Sequence, residues 1–196
     1  MAKTVIFDMG GVLINLEWDS MCARLQARSG LADVGPEVVN GPIVMSAMLG
    51  QLTPHAYHEA LCEKLDASLS YEDFIDIWNS LLSANEAIVP LVERLKSDHH
   101  LVLGSNTDPI HFSYAVEKFH VVQNFEQYFL SYEMGLLKPD PAFFHHILQT
   151  LGTPAAECIF IDDRAENVDA ALSVGITTFH FDSVGQLEVD LRKVLD

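Results

Sequence analysis

Five short apolar runs rich in β-formers, at residues 3–8, Leu101–Ser105, Tyr128–Ser131, Cys158–Asp162 and Thr177–Phe181, constrain this chain more than any other feature. Runs this short and this continuously apolar suit strands buried on both faces of a sheet. Helical patterns lie between the later runs. Pro141–Leu151 places Phe143, Phe144, Ile147, Leu148 and Leu151 on one face and ends at Gly152, a natural helix stop. Strands alternating with helices predict βαβ units, and so an α/β fold with a parallel sheet covered on both sides.

From about Leu16 to Ala84 the pattern changes to helical periodicity alone, broken at Gly30, Gly35-Pro36, Gly41-Pro42, Gly50 and near Ser68 to Ser70. Thr53-Pro54 and Ser70 offer helix starts, because a hydroxyl there can accept from a first-turn N–H and proline tolerates the first helical position. This region is expected to be a small all-helical unit inserted after the first strand. A helix near Glu86–Ser97, carrying Ile88, Leu91, Val92 and Leu95, would lead back into the second strand.

With 196 residues the chain is long enough for one α/β core and one small insertion. Its 28 acidic side chains against 11 basic ones give a formal charge of -17, a field that repels nucleic-acid phosphates and anionic lipid headgroups. Neither nucleic acid nor a membrane is an expected partner, and an anionic small molecule would need a local positive site. Cys22, Cys62 and Cys158 are scattered and odd in number, which suits reduced thiols. The apolar run before Asp8 is too short for a signal-peptide core, and no stretch reaches the roughly 18 apolar residues of a membrane span. A cytoplasmic protein, monomer or homodimer, is expected.

The polar chemistry gathers at strand ends. The first strand ends in Asp8 and runs into Gly10-Gly11; the second ends in Ser105-Asn106-Thr107; the fourth ends in Asp162-Asp163. Lys138-Pro139-Asp140 precedes a helix. In an open parallel sheet the ligand crevice lies beyond the carboxyl ends of the strands, so these groups can converge there. Three carboxylates, a hydroxyl and an ammonium in one crevice suit a hard cation, Mg²⁺ foremost, together with an anion. Singly, each also has a plain structural reading: the aspartates and Ser105-Asn106-Thr107 as helix caps, Lys138-Pro139 as a surface turn, Gly10-Gly11 as a tight turn.

The order D-x-G-G-V, S-N-T, K-P-D, I-D-D resembles the haloacid dehalogenase superfamily of aspartate-nucleophile phosphohydrolases, over nearly the whole chain. Within it the chain is most similar to sugar phosphatases of the alpha-D-glucose-1-phosphatase type and to the phosphatase domain of soluble epoxide hydrolases. The resemblance implies a Rossmann-like three-layer core formed by residues 1–15 and 85–196, with a small inserted all-helical cap at 16–84. It implies a Mg²⁺-dependent phosphatase that acts on a small phosphorylated metabolite, a sugar phosphate foremost, through an aspartyl-phosphate. Asp8 would be the nucleophile. Ser105 and the backbone N–H groups of Gly10, Gly11 and Asn106 would hold phosphoryl oxygens, and Lys138 would neutralise charge. Asp8, the Gly10 carbonyl, Asp163 and also Asp162 would hold the metal, with Asn167 supporting Asp163 from behind.

One position departs from the superfamily's pattern. Most of its phosphatases carry a second aspartate two residues after the nucleophile, as proton shuttle, and here Gly10 stands there. A carbonyl ligand survives that change and a proton donor does not, which favours substrates with good leaving groups. Two other readings remain: a 2-haloacid dehalogenase, which needs no shuttle, and a catalytically weak protein that binds a phosphorylated ligand. Asp162-Asp163 argues against the first of these, because carboxylates crowded round an attacking carboxylate call for a cation. Asp140 is expected to cap the helix after Lys138, and Asp108 to sit in the turn before Pro109. Asn15, Glu17 and Trp18, with Met45, Met48, Leu49 and Gln51, are the candidates for substrate choice, and the two methionines and Leu49 also suit plain packing.

Overall fold

The computed structural model describes residues 3–29 and 41–195. The expected breaks at Gly30 and Gly35-Pro36 lie outside the described residues. In chain order the strands are β1 (Thr4–Phe7), β2 (Ile14–Leu16), β3 (Leu82–Ala84), β4 (His100–Ser105), β5 (Gln127–Leu130), β6 (Cys158–Asp162) and β7 (Thr177–His180). The described helices are α1 (Trp18–Ser29), α2 (Pro42–Met48), α3 (Pro54–Leu65), α4 (Tyr71–Asn79), α5 (Val89–Lys96), α6 (Pro109–Lys118), α7 (Ser131–Met134), α8 (Pro141–Leu151), α9 (Ala165–Ser173) and α10 (Val184–Leu195).

Five strands form an all-parallel sheet in the order β5-β4-β1-β6-β7. Successive side chains of β1 point to opposite faces and build two separate cores. Val5 and Phe7 join Leu91, Val92 and Leu95 of α5 and Leu187 and Leu191 of α10, whereas Ile6 packs with Phe143, Phe144 and Ile147 of α8 and Ala171 of α9. The expected three-layer Rossmann-like core follows from that alternation. Because β1 lies between β4 and β6, and Phe7 is level with both Leu103 and Ile161, Asp8 emerges at the same height as the ends of its two neighbours.

Helix starts follow local chemistry. Thr53 Oγ1 accepts from Ala56 N at 3.2 Å, Ser70 Oγ from Asp73 N at 3.0 Å, and Asp140 Oδ1 from Ala142 N at 2.9 Å. Gly152 closes α8 in the left-handed conformation. The third sheet strand stops at Leu130, one residue short of the expected end, because Ser131 begins α7 and its hydroxyl bonds both Thr107 N and Thr107 O at 3.0 Å.

The described elements between β2 and β3 are all helices, but the segment is bounded by strands: β2 and β3 pair as an antiparallel ribbon, Ile14 with Ala84 and Leu16 with Leu82. The ribbon corrects the expectation of helices alone, since three-residue strands are too short to show a period of two. Tyr57, Phe74 and Trp78 meet edge-on or stacked to fill the helical insert. The turn after α2 presses on the start of α7, where Gly50 is left-handed and an added Cβ would overlap the Tyr132 carbonyl. Among the described residues no helix is long and apolar enough to cross a membrane.

Candidate active site

Asp8 leaves β1 with its backbone N–H bonded to Ile161 O at 2.9 Å, which pins it beside the end of β6. Its Oδ1 accepts from Met9 N at 2.7 Å and lies 2.8 Å from Lys138 Nζ. The same ammonium bonds Asp162 Oδ2 at 2.7 Å and Gly104 O at 2.8 Å, so one buried cation ties the ends of β1, β4 and β6 together. Asn106 holds Lys138 in place through its side chain: its Nδ2 donates to Lys138 O at 2.8 Å and its Oδ1 accepts from Lys138 N at 2.9 Å. Ser105 ends β4 beside them, almost fully buried.

Asp162 is held on every side. Oδ1 accepts from Arg164 N and Asn167 Nδ2, each at 2.9 Å, and Oδ2 accepts from Asn167 Nδ2 at 3.0 Å in addition to Lys138. Asn167 therefore supports Asp162 and not Asp163, because the first turn of α9 brings its amide under the last strand residue. Asp163, half-buried, faces Gly11. That glycine has φ +79°, and a Cβ there would overlap the Asp163 carboxylate, so both conformation and space require glycine. Gly11 N donates to Ile14 O at 2.7 Å.

Carboxylate oxygens of Asp8, Asp162 and Asp163 lie within 4.8 Å of one another. Burial pushes the Asp8 carboxyl up to about 7, against the pull of Lys138, and Asp162 adds to the rise. Asp163 is raised by burial and then by Asp162. Burial alone would lower Lys138, but the two carboxylates outweigh it and hold its ammonium above the ordinary range. One ammonium facing three carboxylates leaves an excess of negative charge, and hard oxygen donors at this spacing fit a divalent cation of the Mg²⁺ type.

At Gly10 an added Cβ would lie 3.3 Å from Leu16 Cδ2, so an apolar side chain of β2 borders the position of the usual shuttle aspartate. Asn15 and Glu17 serve the ribbon, Asn15 Nδ2 donating to Ala84 O at 3.0 Å and Glu17 Oε1 accepting from Ser83 Oγ at 2.7 Å. Trp18 and Met45 are exposed, while Met48 packs against the core. Asp108 stands in the turn before Pro109, as expected, and its carboxylate also caps α6. It also makes a buried contact with His111, whose only signal in the sequence is the spacing of three across a helix start.

A family model described as haloacid dehalogenase-like hydrolase matches residues 2–175. Sesquiterpene phosphatase astK of Aspergillus oryzae is 29% identical over 98% of this chain and 96% of its own. D-ribitol-5-phosphate phosphatase of Bacteroides thetaiotaomicron is 23% identical over the full length of both chains. The crystal structure of enzyme bt-2542 from Bacteroides thetaiotaomicron with magnesium superposes with a TM-score of 0.87 at 27% identity, over 95% of this chain and 98% of that one. The same enzyme with magnesium and inorganic phosphate gives 0.84 at 26% identity, over 95% and 99%.

Proposed function

Because the chain belongs to the haloacid dehalogenase-like hydrolases, we propose that it is a Mg²⁺-dependent phosphatase that hydrolyses a small phosphorylated metabolite, a sugar or sugar-alcohol phosphate foremost, with residues 16–84 as its cap. One observation carries the reading: Lys138 Nζ bridges Asp8 and Asp162 at 2.8 and 2.7 Å in a buried cluster that also contains Asp163. A phosphoryl group placed there meets a fixed carboxylate nucleophile and a fixed positive charge. Phosphoryl transfer depends chiefly on such positioning and charge stabilisation.

Asp8 attacks phosphorus, the ester oxygen leaves with the bonding pair, and water then splits the aspartyl-phosphate to phosphate and Asp8. Ser105 and the N–H groups of Gly10 and Asn106 are assigned to the phosphoryl oxygens, while Gly11, whose own N–H is taken by Ile14 O at 2.7 Å, shapes the turn that presents them. Lys138 keeps Asp8 in one orientation and offsets its charge. Asp8, Asp163 and the Gly10 carbonyl would hold the cation, with Asp162 as the braced member of the set. Bound there, Mg²⁺ would screen the phosphate from the carboxylates and polarise it. Three carboxylates this close argue against haloacid hydrolysis, which has no anionic phosphate for a cation to bind.

Mg²⁺-dependent phosphate release from a panel of phosphorylated metabolites, lost in Asp8→Asn, is the expected result, with a labile adduct of one phosphoryl group on Asp8 seen by mass spectrometry after acid quench. Release that persists in Asp8→Asn would overturn it.

A further inference from the structure

A second buried charged cluster lies where the insert's last helix, α4, meets α6 of the core. Asp108 is fully buried. Its Oδ1 accepts from Ile110 N at 2.8 Å and His111 N at 3.1 Å, while Oδ2 faces His111 Nδ1 at 3.1 Å and Trp78 Nε1 at 3.4 Å. The other ring nitrogen of His111, Nε2, is 3.0 Å from Trp78 O. A carboxylate and a backbone carbonyl are both acceptors, so satisfying both contacts requires a proton on each ring nitrogen. The imidazole also stacks on the Trp78 indole, 5.6 Å between centroids and 8° from parallel, an arrangement that favours a cation.

Its neighbours reinforce the charge. Burial alone would strip the proton from His111, but the Asp108 carboxylate outweighs burial and holds the imidazole above its ordinary value of 6.5. Tyr57 of α3 has a buried hydroxyl with no hydrogen-bond partner among the described residues; burial and then Asp108 keep it a neutral phenol. Tyr132 of α7 is likewise raised, by burial, Glu133 and Asp108 in that order. Asp108 is three residues beyond Ser105 on the same strand-end loop, and Trp78 is four residues before the ribbon strand β3.

We propose that His111, as an imidazolium, is a positioning residue that latches Trp78 of the insert to Asp108 of the site loop, so that the seating of the insert over the strand ends depends on one buried proton. The latch stands apart from the phosphatase reading; only its kinetic consequence rests on it.

The chain has two tryptophans, so Trp18→Phe leaves Trp78 as sole reporter, and an imidazolium stacked on indole quenches its emission. Emission of Trp18→Phe is expected to rise with pH through a midpoint above 6.5, and the step should vanish when His111→Gln is added. In kinetics with p-nitrophenyl phosphate and Mg²⁺, His111→Gln should raise KM several-fold at pH 6.5, with kcat within about twofold, towards the value the wild type reaches above the midpoint. An unchanged step in His111→Gln, a midpoint at or below 6.5, or a KM ratio constant across pH would overturn the latch. Should His111→Gln fail to fold, the midpoint in Trp18→Phe decides alone. Should p-nitrophenyl phosphate not be hydrolysed at all, the phosphatase reading is in doubt while the emission titration still decides the latch.

Discussion

Asn167 Nδ2 donates to both carboxylate oxygens of Asp162, at 2.9 and 3.0 Å, and so separates the adjacent aspartates into different tasks. Asp162 is a braced anion that fixes Lys138, whereas Asp163 faces the Gly11 turn without that brace. Asn167→Ala should therefore lower stability by about 1–3 kcal/mol, the usual penalty for a buried acceptor losing its donor, as read by urea unfolding. Asp163→Asn should leave stability within about 1 kcal/mol and weaken Mg²⁺ by at least about tenfold in calorimetric titration, since even outer partners of a metal site typically change affinity by 10–100-fold. Unchanged Mg²⁺ affinity in Asp163→Asn would move the metal to Asp162.

Adjacent glycines should respond in opposite ways. Gly11→Ala forces a side chain into a left-handed conformation, at about 1–2 kcal/mol, and into the Asp163 carboxylate. Lower melting temperature and weaker Mg²⁺ binding are both expected. Gly10→Ala meets only the flexible end of Leu16 at 3.3 Å and should change neither by a measurable amount.

Much of this geometry was legible in the sequence. The five strands and α8 stand out because buried parallel strands leave continuous apolar runs and α8 carries its own stop at Gly152. The strand-end residues Asp8, Ser105 and Asp162 converge as the order of motifs implied, because parallel strands deliver their last residues to one edge, and Lys138 joins them from the loop before α8. The β2–β3 ribbon, the brace from Asn167 to Asp162 and the His111 contact with Trp78 stayed hidden. Each joins residues through tertiary pairing or a helix-turn offset, and none leaves a period in the chain.

Lys138→Met removes the buried ammonium that pairs with both Asp8 and Asp162. Breaking a buried ion pair from one side commonly destabilises by about 3–5 kcal/mol. The loss should be smaller at pH 5 than at pH 8, because Asp8, with its carboxyl raised to about 7, is protonated at the lower pH and needs no counter-charge. Urea unfolding at the two pH values checks this, and an equal loss at both would show that Asp8 is ionised throughout.

Mg²⁺ should stabilise the chain in a pH-dependent way. Asp8 is raised from 3.8 to about 7, so in the metal-free chain its contribution is fully present below 3.8 and is lost as pH rises through about 7. Asp163 is raised too and acts in the same direction. A cation binds the deprotonated carboxylates, so protons compete with it. The rise in melting temperature on adding Mg²⁺ should be small at pH 5 and grow up to pH 8, and Asp8→Asn should flatten the trend. A shift that is constant with pH would place the bound cation elsewhere.

Gly10→Asp tests what the missing shuttle means. An alkyl phosphate must lose an alkoxide, which needs a proton as the P–O bond breaks, while nitrophenolate leaves as a stable anion. A positioned acid or base typically contributes about 10²–10⁴-fold, and mostly for the poor leaving group. Residue 10 has a backbone that accepts a side chain, but Leu16 borders the space, so Gly10→Asp combined with Leu16→Ala gives the carboxyl room to reach the ester oxygen. The ratio of kcat for an alkyl phosphate to kcat for p-nitrophenyl phosphate should rise by about 10–100-fold in the double variant, with little change in Leu16→Ala alone. An unchanged ratio would mean that another group, in the protein or on the substrate, already supplies the proton that Gly10 cannot.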